Sequence, residues 1–485
     1  MENISCRLDE NVKYIRGLFE NAMDFILREF QIGGYNAALF AMDGLVSKQH
    51  ISIGILNPIM QADVVQSDGV SAMKYIENHV LGAVDQMQLH TVPDVTDRLM
   101  NGFAVLLIDG CGYGLCFGTQ GFERRSVSEP EREVMQRGSR EGFVEAFLIN
   151  VSMIRRRLKT PDLKIERMIV GGESNTPVAI CYLQSVADPG ILESVKQKLR
   201  QCNLKNLLAA GYLTGYLERT KIFDSVGITE RPDTLCGKLH EGRIGRLVDG
   251  TPSALFVPFL FIENFQTMDD YAARPFFAAF TRWLKYAAFF LAIFLPGVYV
   301  GTVMHNPELL PLILLRKIAK AASQTPLSVL PEIVLLYFIY EMLREAGMRV
   351  PKPLGSTVSI VGGLVIGDTA VSVGLISAPS LVVIALTVIT GYMLPKLYEQ
   401  MAALRLVFIL IGGIWGVWGI LAGMTFLIFS LCGSSSFKVP FMAPAAPFSL
   451  FSMRDVLTRE GWKKLAQRTV TVQKMPGAGK EDKRI

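Results

Sequence analysis

The rhythm of apolar and polar positions changes near Trp283. Before it, short apolar runs alternate with charge. Over 284–432, runs long enough to cross a bilayer follow one another with little charge between them. The first part predicts a mixed α/β head in two units. Over 9–30, Val12, Ile15, Leu18, Phe19, Ala22, Phe25 and Ile26 recur at helical spacing, which predicts one amphipathic helix. Apolar runs at 37–42, 103–108 and 115–117 predict strands, the last two joined by the turn Asp109-Gly110-Cys111-Gly112. Segments 69–84 and 95–100 read as helical. A charged linker at 123–140 leads to the second unit, where 164–170 and 177–183 read as strands around a turn at 171–175. Asp188 is placed to cap a helix over 189–200, with Pro189 in its first turn. Strands recur at 244–248 and 255–260.

In the membrane block, 284–304 is long enough for one crossing, and 326–343 is apolar but carries Glu332 and Glu341. Runs 356–377 and 381–394 are separated only by Ala378-Pro379-Ser380 and predict a tight hairpin. The run 404–431 is the longest and is expected to tilt or protrude. Segment 309–315 is too short to cross and precedes Arg316, Lys317 and Lys320, so it reads as re-entrant or interfacial. The expected fold class is an α/β cytoplasmic head of two subdomains, an all-α polytopic membrane domain of about five or six segments, and a short basic tail. The expected boundaries are 1–122, 123–163 for the charged linker and its helix, 164–275, 276–436 and 437–485.

Charge refines this picture. The 485 residues carry a formal charge of +5, and segment 453–485 holds nine basic residues against four acidic ones. The tail therefore accounts for the excess and points to anionic headgroups of a lipid bilayer, with no nucleic acid as partner. Other basic clusters are Arg274, Arg282 and Lys285; Arg344, Arg349 and Lys352; and Lys396 with Arg405. The start of the chain has no continuous apolar stretch, so the head is expected in the cytoplasm. The positive-inside rule then places all three clusters and the tail there too. Five crossings would put the tail on the opposite side, so one short segment must cross or fold back.

Candidate chemistry is sparse in the head. The seven cysteines are scattered without CxxC or Cys/His spacing, so neither a disulfide framework nor a metal site is expected, and no cofactor is implied. Gly110-Cys111-Gly112-Tyr113-Gly114 loosely resembles a phosphate loop, but it runs into another apolar strand, and a tight turn is the simpler reading. No GxSxG, HExxH or Walker motif is present, so no enzyme is expected. The membrane block says more. Gly363 and Gly367, Gly412 and Gly416, and Gly419 and Gly423 each stand four apart, a spacing that lets helices approach closely. Asp368 follows Gly367 inside an apolar run, where an ionisable group costs roughly 2.5 kcal/mol or more. Glu332, Glu341 and Glu345 lie on broadly one side of the preceding helix, and Arg344 and Arg349 offer the last two plain ion pairs. Glu332, Glu341, Gly363, Gly367 and Asp368 are thus the candidate lining of an ion path, which rings of acids around an axis would suit.

The most specific string lies in the linker: Ser128-Glu129-Pro130-Glu131-Arg132-Glu133-Val134-Met135-Gln136-Arg137-Gly138-Ser139-Arg140-Glu141-Gly142-Phe143, continuing to Asn150 and Ile154-Arg155-Arg156-Arg157. It resembles the signature of the GerA family of spore germination proteins, the A subunits of nutrient germinant receptors. Arg231-Pro232-Asp233, Gly242-Arg243-Ile244, Leu343-Arg344-Glu345-Ala346-Gly347, Pro353-Leu354-Gly355 and Gly362-Gly363-Leu364-Val365-Ile366-Gly367 are also similar to that family and keep its order. Ser139 departs from it, because the family usually has proline there, and could loosen the turn before the next helix.

The resemblance implies a multi-pass subunit of the spore inner membrane with its head in the cytoplasm. It implies a homo-oligomer that works with B-type and C-type receptor subunits and releases cations when a nutrient binds, recognition being left to the B subunit. It also implies an assembly motif at Glu129, Pro130, Glu133, Arg137, Gly138, Arg140, Glu141, Gly142, Phe143, Asn150 and Arg155. Among these, Arg137, Arg140 and Glu141, with Glu145, are closely spaced opposite charges that could lock the two head units or join neighbouring subunits. A solvated charged face is the competing reading. Two alternatives stand beside the receptor: an accessory membrane channel of the stage V sporulation protein AF type, or an ion-coupled transporter with a regulatory head. Against the transporter stands the lack of an inverted repeat.

Overall fold

In the computed structural model the chain is described at residues 2–65, 68–81, 85–121, 130, 133, 135, 137–218, 222–349, 367–465 and 471–478. Glu129 and Gly363 of the expected sites lie outside these residues.

The helix expected over 9–30 ends early. α1 spans Leu8–Leu18, and Phe25–Ile32 is instead the edge strand β1. It pairs antiparallel with β2 (Tyr35–Met42) around Gly33-Gly34, both at positive φ, the backbone a tight hairpin turn requires. The misleading period has a physical source. Ile26 and Phe30 pack on one face of this sheet and Phe25 and Leu27 on the other, so both faces are apolar and no polar alternation marks the strand. With β3 (Gln86–Leu89), β4 (Phe103–Ile108) and β5 (Gly114–Gly118) the sheet has the order β1-β2-β4-β5-β3. One face is covered by α1 and α2 (Val92–Met100), the other by the helical turns between 48 and 80.

The second unit is read more directly from sequence. The strands β6 (Leu163–Val170) and β7 (Thr176–Leu183) form a hairpin, and α4 (Pro189–Arg200) starts at Asp188, whose Oδ1 accepts the Ile191 N–H at 2.9 Å. α3 (Phe147–Arg157) precedes them and α5 (Pro232–His240) follows. With β8 (Gly227–Thr229), β9 (Ile244–Val248) and β10 (Ala254–Val257) this second antiparallel sheet has the order β6-β7-β9-β10-β8. Its two faces pack on α3 and α5, and on α4 and the segment 207–217.

Arg246 on β9 sits opposite Ile180 and Leu255, and none of its three guanidinium nitrogens has a hydrogen-bond partner among the described residues. Burial pushes its pKa down to about 9. A cation with a depressed folded pKa destabilises the fold below that pKa, and the penalty eases only as pH rises through about 9. Arg246→Met is therefore expected to stabilise the head by about 1–4 kcal/mol at neutral pH. Thermal unfolding of the full chain in detergent checks this, the gain shrinking above pH 9.

The two units are tied at one seam. The Arg155 guanidinium on α3 grips Asp24 with Nε–Oδ2 at 2.8 Å and Nη2–Oδ1 at 2.9 Å, and both side chains are fully buried. Lys164 Nζ donates to the Leu18 carbonyl at 2.7 Å, and Met23 N–H donates to that of Ile165 at 2.9 Å.

Beyond the head the chain is helical: α6 (Pro275–Met304), α7 (Leu312–Ala322), α8 (Val329–Arg349), a short helical segment at 367–372, α9 (Ala378–Tyr392) and α10 (Tyr398–Gly433). Two helical runs among the described residues, Pro275–Met304 and Pro395–Gly433, are long and apolar enough to cross a membrane by length and composition, and α9 is a shorter apolar helix. The longest apolar run is not a single straight helix. At Gly416 the backbone takes φ 64°, ψ −155°, and α10 doubles back. A Cβ at Gly423 would lie 2.8 Å from the Phe408 ring, which a straight helix would hold about 22 Å away.

The end of α6 supports this bend. His305 Nε2 lies 2.8 Å from the Gly413 carbonyl, and the freed Val417 N–H reaches Asn306 Oδ1 at 3.4 Å. Gly412 and Gly416 do mark a close approach, and their partners are Gly297 and Gly301 on α6, also four apart.

Part of the basic tail folds onto protein, while Lys463, Lys464 and Lys474 stay exposed and Arg468, Lys480, Lys483 and Arg484 lie outside the described residues. Phe261 N–H donates to the Phe441 carbonyl and Val472 N–H to that of Glu241. Arg459 is buried and donates to the Ala273 and Tyr271 carbonyls, while Arg454 pairs with Glu460. Asp455 meets Arg282, itself fully buried and paired with Asp270. One apolar core, with Phe261, Phe289, Phe408, Leu427 and Phe441, joins head, α6, both arms of α10 and tail.

Candidate functional site

Glu332 stands near the start of α8 and is fully buried. Its Oε1 accepts the Ser377 N–H and its Oε2 the Ser380 hydroxyl at 3.1 Å. Ser377 is the N-cap of α9, and Tyr299 of α6 reaches the Ser380 hydroxyl at 3.4 Å. The carboxylate therefore sits at the positive end of a helix and is satisfied by that helix's first donors, which is how an acid is tolerated among apolar helices.

Glu341 lies nine residues further on, about 13.5 Å along the same helix. It accepts the Tyr398 hydroxyl at 2.8 Å, pairs with Arg344 at 3.0 Å and lies 3.6 Å from Arg405 Nη1. Arg405 is fully buried in the first arm of α10, its Nε donating to the Ala292 carbonyl of α6 at 2.8 Å. Tyr337 packs its ring 5.5 Å from that guanidinium and donates to the Ala402 carbonyl. Glu341 and Arg405 thus join α8 to α10, and Glu345 makes an exposed pair with Arg349 at 2.7 Å. Asp368 is exposed on the segment 367–372, and Gly367 faces Leu381 at ordinary contact distance. No contact among the described residues brings Asp368 together with Glu332 or Glu341.

The linker residues fall into three groups. Pro130, Gly142, Phe143 and Asn150 are buried. Phe143 N–H donates to the Glu230 carbonyl at 2.7 Å, and the Asn150 side chain closes on both backbone groups of Val144. Arg137, Gly138 and Arg140 lie at the surface. Glu141 pairs with Arg156 and Arg157 inside the second unit, and Arg155–Asp24 is a buried pair between the units. Ser139, where the resemblance leads to proline, is pinned on three sides. Its hydroxyl meets the Glu141 N–H and Arg157, and its carbonyl accepts from Arg231 Nη2 at 2.8 Å.

Glu133 connects furthest. One carboxylate oxygen accepts the Thr229 hydroxyl and the Glu230 N–H, and the other pairs with Lys396 Nζ at 2.6 Å. Nearby, Gln400 Nε2 donates to Asp224 Oδ2 at 3.0 Å, and burial pushes the Asp224 carboxyl above its ordinary value.

Sequence reasoning missed Asp24, Ser377, Ser380 and the pairing roles of Lys396 and Arg405. The last two did carry a signal, since each interrupts an apolar stretch. The others have none, because they acquire their role only from partners distant in the chain.

Comparisons with known proteins agree across most of the chain. A family model described as Bacillus/Clostridium GerA spore germination protein matches residues 13–471. Spore germination protein KA of Bacillus subtilis is 35% identical over 466 residues, covering 95% of this chain and 85% of that protein. The uncharacterized membrane protein YfkQ of the same organism is 32% identical over 99% of this chain and 94% of its own length. Its stage V sporulation protein AF is 26% identical over 90% and 88%.

Proposed function

The chain belongs to the GerA family of Bacillus/Clostridium spore germination proteins, and from that premise we propose that it is the A-type membrane subunit of a nutrient germinant receptor. In this reading copies of the chain assemble with B-type and C-type subunits in the spore inner membrane and form or gate a path that releases cations. The observation that carries the reading is Glu332: a carboxylate fully buried among apolar helices and held, among the described residues, by helix-end donors. An acid kept at such cost belongs to an ion-handling site more naturally than to a packing core.

Membrane geometry supports the same reading. α6 runs about 32 Å from the exposed Trp283 to its end, close to the ~30 Å of a bilayer core. Exposed Trp415 and Trp418 flank the bend at Gly416, beside the far end of α6, as interfacial aromatics do. With both arms of α10 counted as passages, α10 starts beside Glu133 of the head and ends beside Ser225 of the head, which returns the tail to the head's side, in the cytoplasm. Glu332, Glu341, Gly367 and Asp368, with Gly363 outside the described residues, are then the proposed lining or gate of the path, and the linker signature serves assembly. The match to stage V sporulation protein AF favours a second reading, an accessory channel of that kind.

Potassium release from liposomes holding the purified oligomer tests the proposal. The natural chain is expected to conduct, with Glu332→Gln and Asp368→Asn changing the flux severalfold. A correctly folded oligomer that never conducts, alone or with partner subunits and nutrient, would sink the ion-path reading and leave a scaffold.

A further inference from the structure

The Glu133 carboxylate is shared between two bodies. Its Oε2 is fixed by the head, through the Thr229 hydroxyl and the Glu230 N–H just after β8. Arg231 adds a donor to the Glu133 carbonyl at 3.3 Å and is itself held by Asp233 at 2.6 Å. Glu133 Oε1 pairs with Lys396, which stands in the turn Pro395–Leu397 between α9 and α10. Two residues beyond Lys396, Tyr398 donates to Glu341 on α8, and Arg405 stands on the next turns. A single carboxylate therefore begins a run of polar contacts from the second sheet of the head to the charged cluster that joins α8 to α10.

Stability is a poor explanation for this pair. The Lys396 side chain is 38% exposed against 16% for Glu133, and an ion pair that solvent reaches from one side is worth about 1 kcal/mol or less. Position is the better one, because the pair fixes where the α9–α10 turn sits against the head. We propose that Glu133–Lys396 is a coupling link, through which a shift of the linker against β8 moves the α9–α10 turn and, by way of Tyr398, the Glu341–Arg405 contact. The proposal rests on the ion-path reading only for what the moved helices then do. The link itself is a statement about two elements that bias one another.

Hydrogen exchange on the full chain in liposomes tests it, with Glu133→Gln, Lys396→Gln and the double change. Gln at 133 keeps an acceptor for Thr229 and Glu230 but loses the charge. Glu133→Gln is expected to raise exchange severalfold over 397–405, and Lys396→Gln over 229–231 and 137–144, each in the element it does not belong to. The double change should add nothing to either, and Lys396→Arg should restore both. Effects confined to each residue's own element, adding in the double variant, would overturn the link. Potassium flux in the same vesicles separates the two claims. Coupled exchange in a chain that never conducts supports the link and defeats the ion path. Uncoupled exchange in a conducting chain defeats the link and leaves the path standing.

Discussion

Arg155→Met is expected to unfold the seam between the two head units, costing about 3–5 kcal/mol. The change strands the Asp24 carboxylate in a fully buried position and removes the donor to the Leu163 carbonyl. Burial is what makes the effect large. The same pair at the surface would be worth a fraction of this, because water would solvate the orphan. The signature of the mechanism is the double variant. Arg155→Met with Asp24→Leu takes away both charges together and should recover most of the loss, since a well-packed apolar replacement of a buried pair is close to neutral or stabilising. Thermal unfolding of the full chain, with hydrogen exchange at β1 and β6 to localise the damage, reads both variants. A double variant as unstable as the single one would show that Arg155 matters for packing and not for its charge.

The second large effect is expected where α6 crosses α10. A Cβ at Gly412 would strike the Gly297 carbonyl, and a Cβ at Gly297 would strike that of Phe408, so each glycine faces backbone that cannot turn aside. Gly412→Leu is expected to force the two helices apart and cost ~3 kcal/mol or more, at the upper end of overpacking penalties. The damage should spread, because α6 and α10 share the core that reaches Phe261 of the head and Phe441 of the tail. Gly433→Leu is the matched control, its added Cβ meeting no other element among the described residues within 4 Å, and is expected to leave the fold unchanged. Melting in detergent and elution volume distinguish the two. Equal behaviour of both variants would mean that the crossing is not as close as the glycines make it.

Much of this molecule can be read from its residues, and the rest fails for identifiable reasons. The β6–β7 hairpin and α4 stand out because each carries its own punctuation: a glycine turn in one case, Asp188-Pro189 in the other. The pair Gly412 and Gly416 announces a close approach, but nothing in the string says that Gly416 also turns the helix back. A glycine in an apolar run looks the same at either sign of φ. β1 reads as helix because the sheet it joins is apolar on both faces, and the informative residues are the neighbouring Gly33-Gly34. At the candidate site, Glu332 and Glu341 are visible as acids where acids are costly, but their partners are not. Ser377 is 45 residues from Glu332, and Asp24 is 131 residues from Arg155. Such pairings are made by tertiary packing and leave no local period. In the tail, too, composition does not announce a tertiary partner: Arg459 spends its donors on backbone carbonyls of the protein, while Lys463, Lys464 and Lys474 stay exposed.

The fold-back at Gly416 matters most, since it lets head and tail share one side of the membrane. Side-specific labelling tests it directly, using a membrane-impermeant maleimide on sealed vesicles. Cys6 is exposed in the head, and Leu450 and Glu308 mark the tail and the end of α6. Cys6 and a cysteine at Leu450→Cys, with Cys432→Ser, are expected to label from one side and Glu308→Cys from the other. Labelling of Leu450→Cys from the side of Glu308→Cys would mean that α10 crosses once, and would contradict the account.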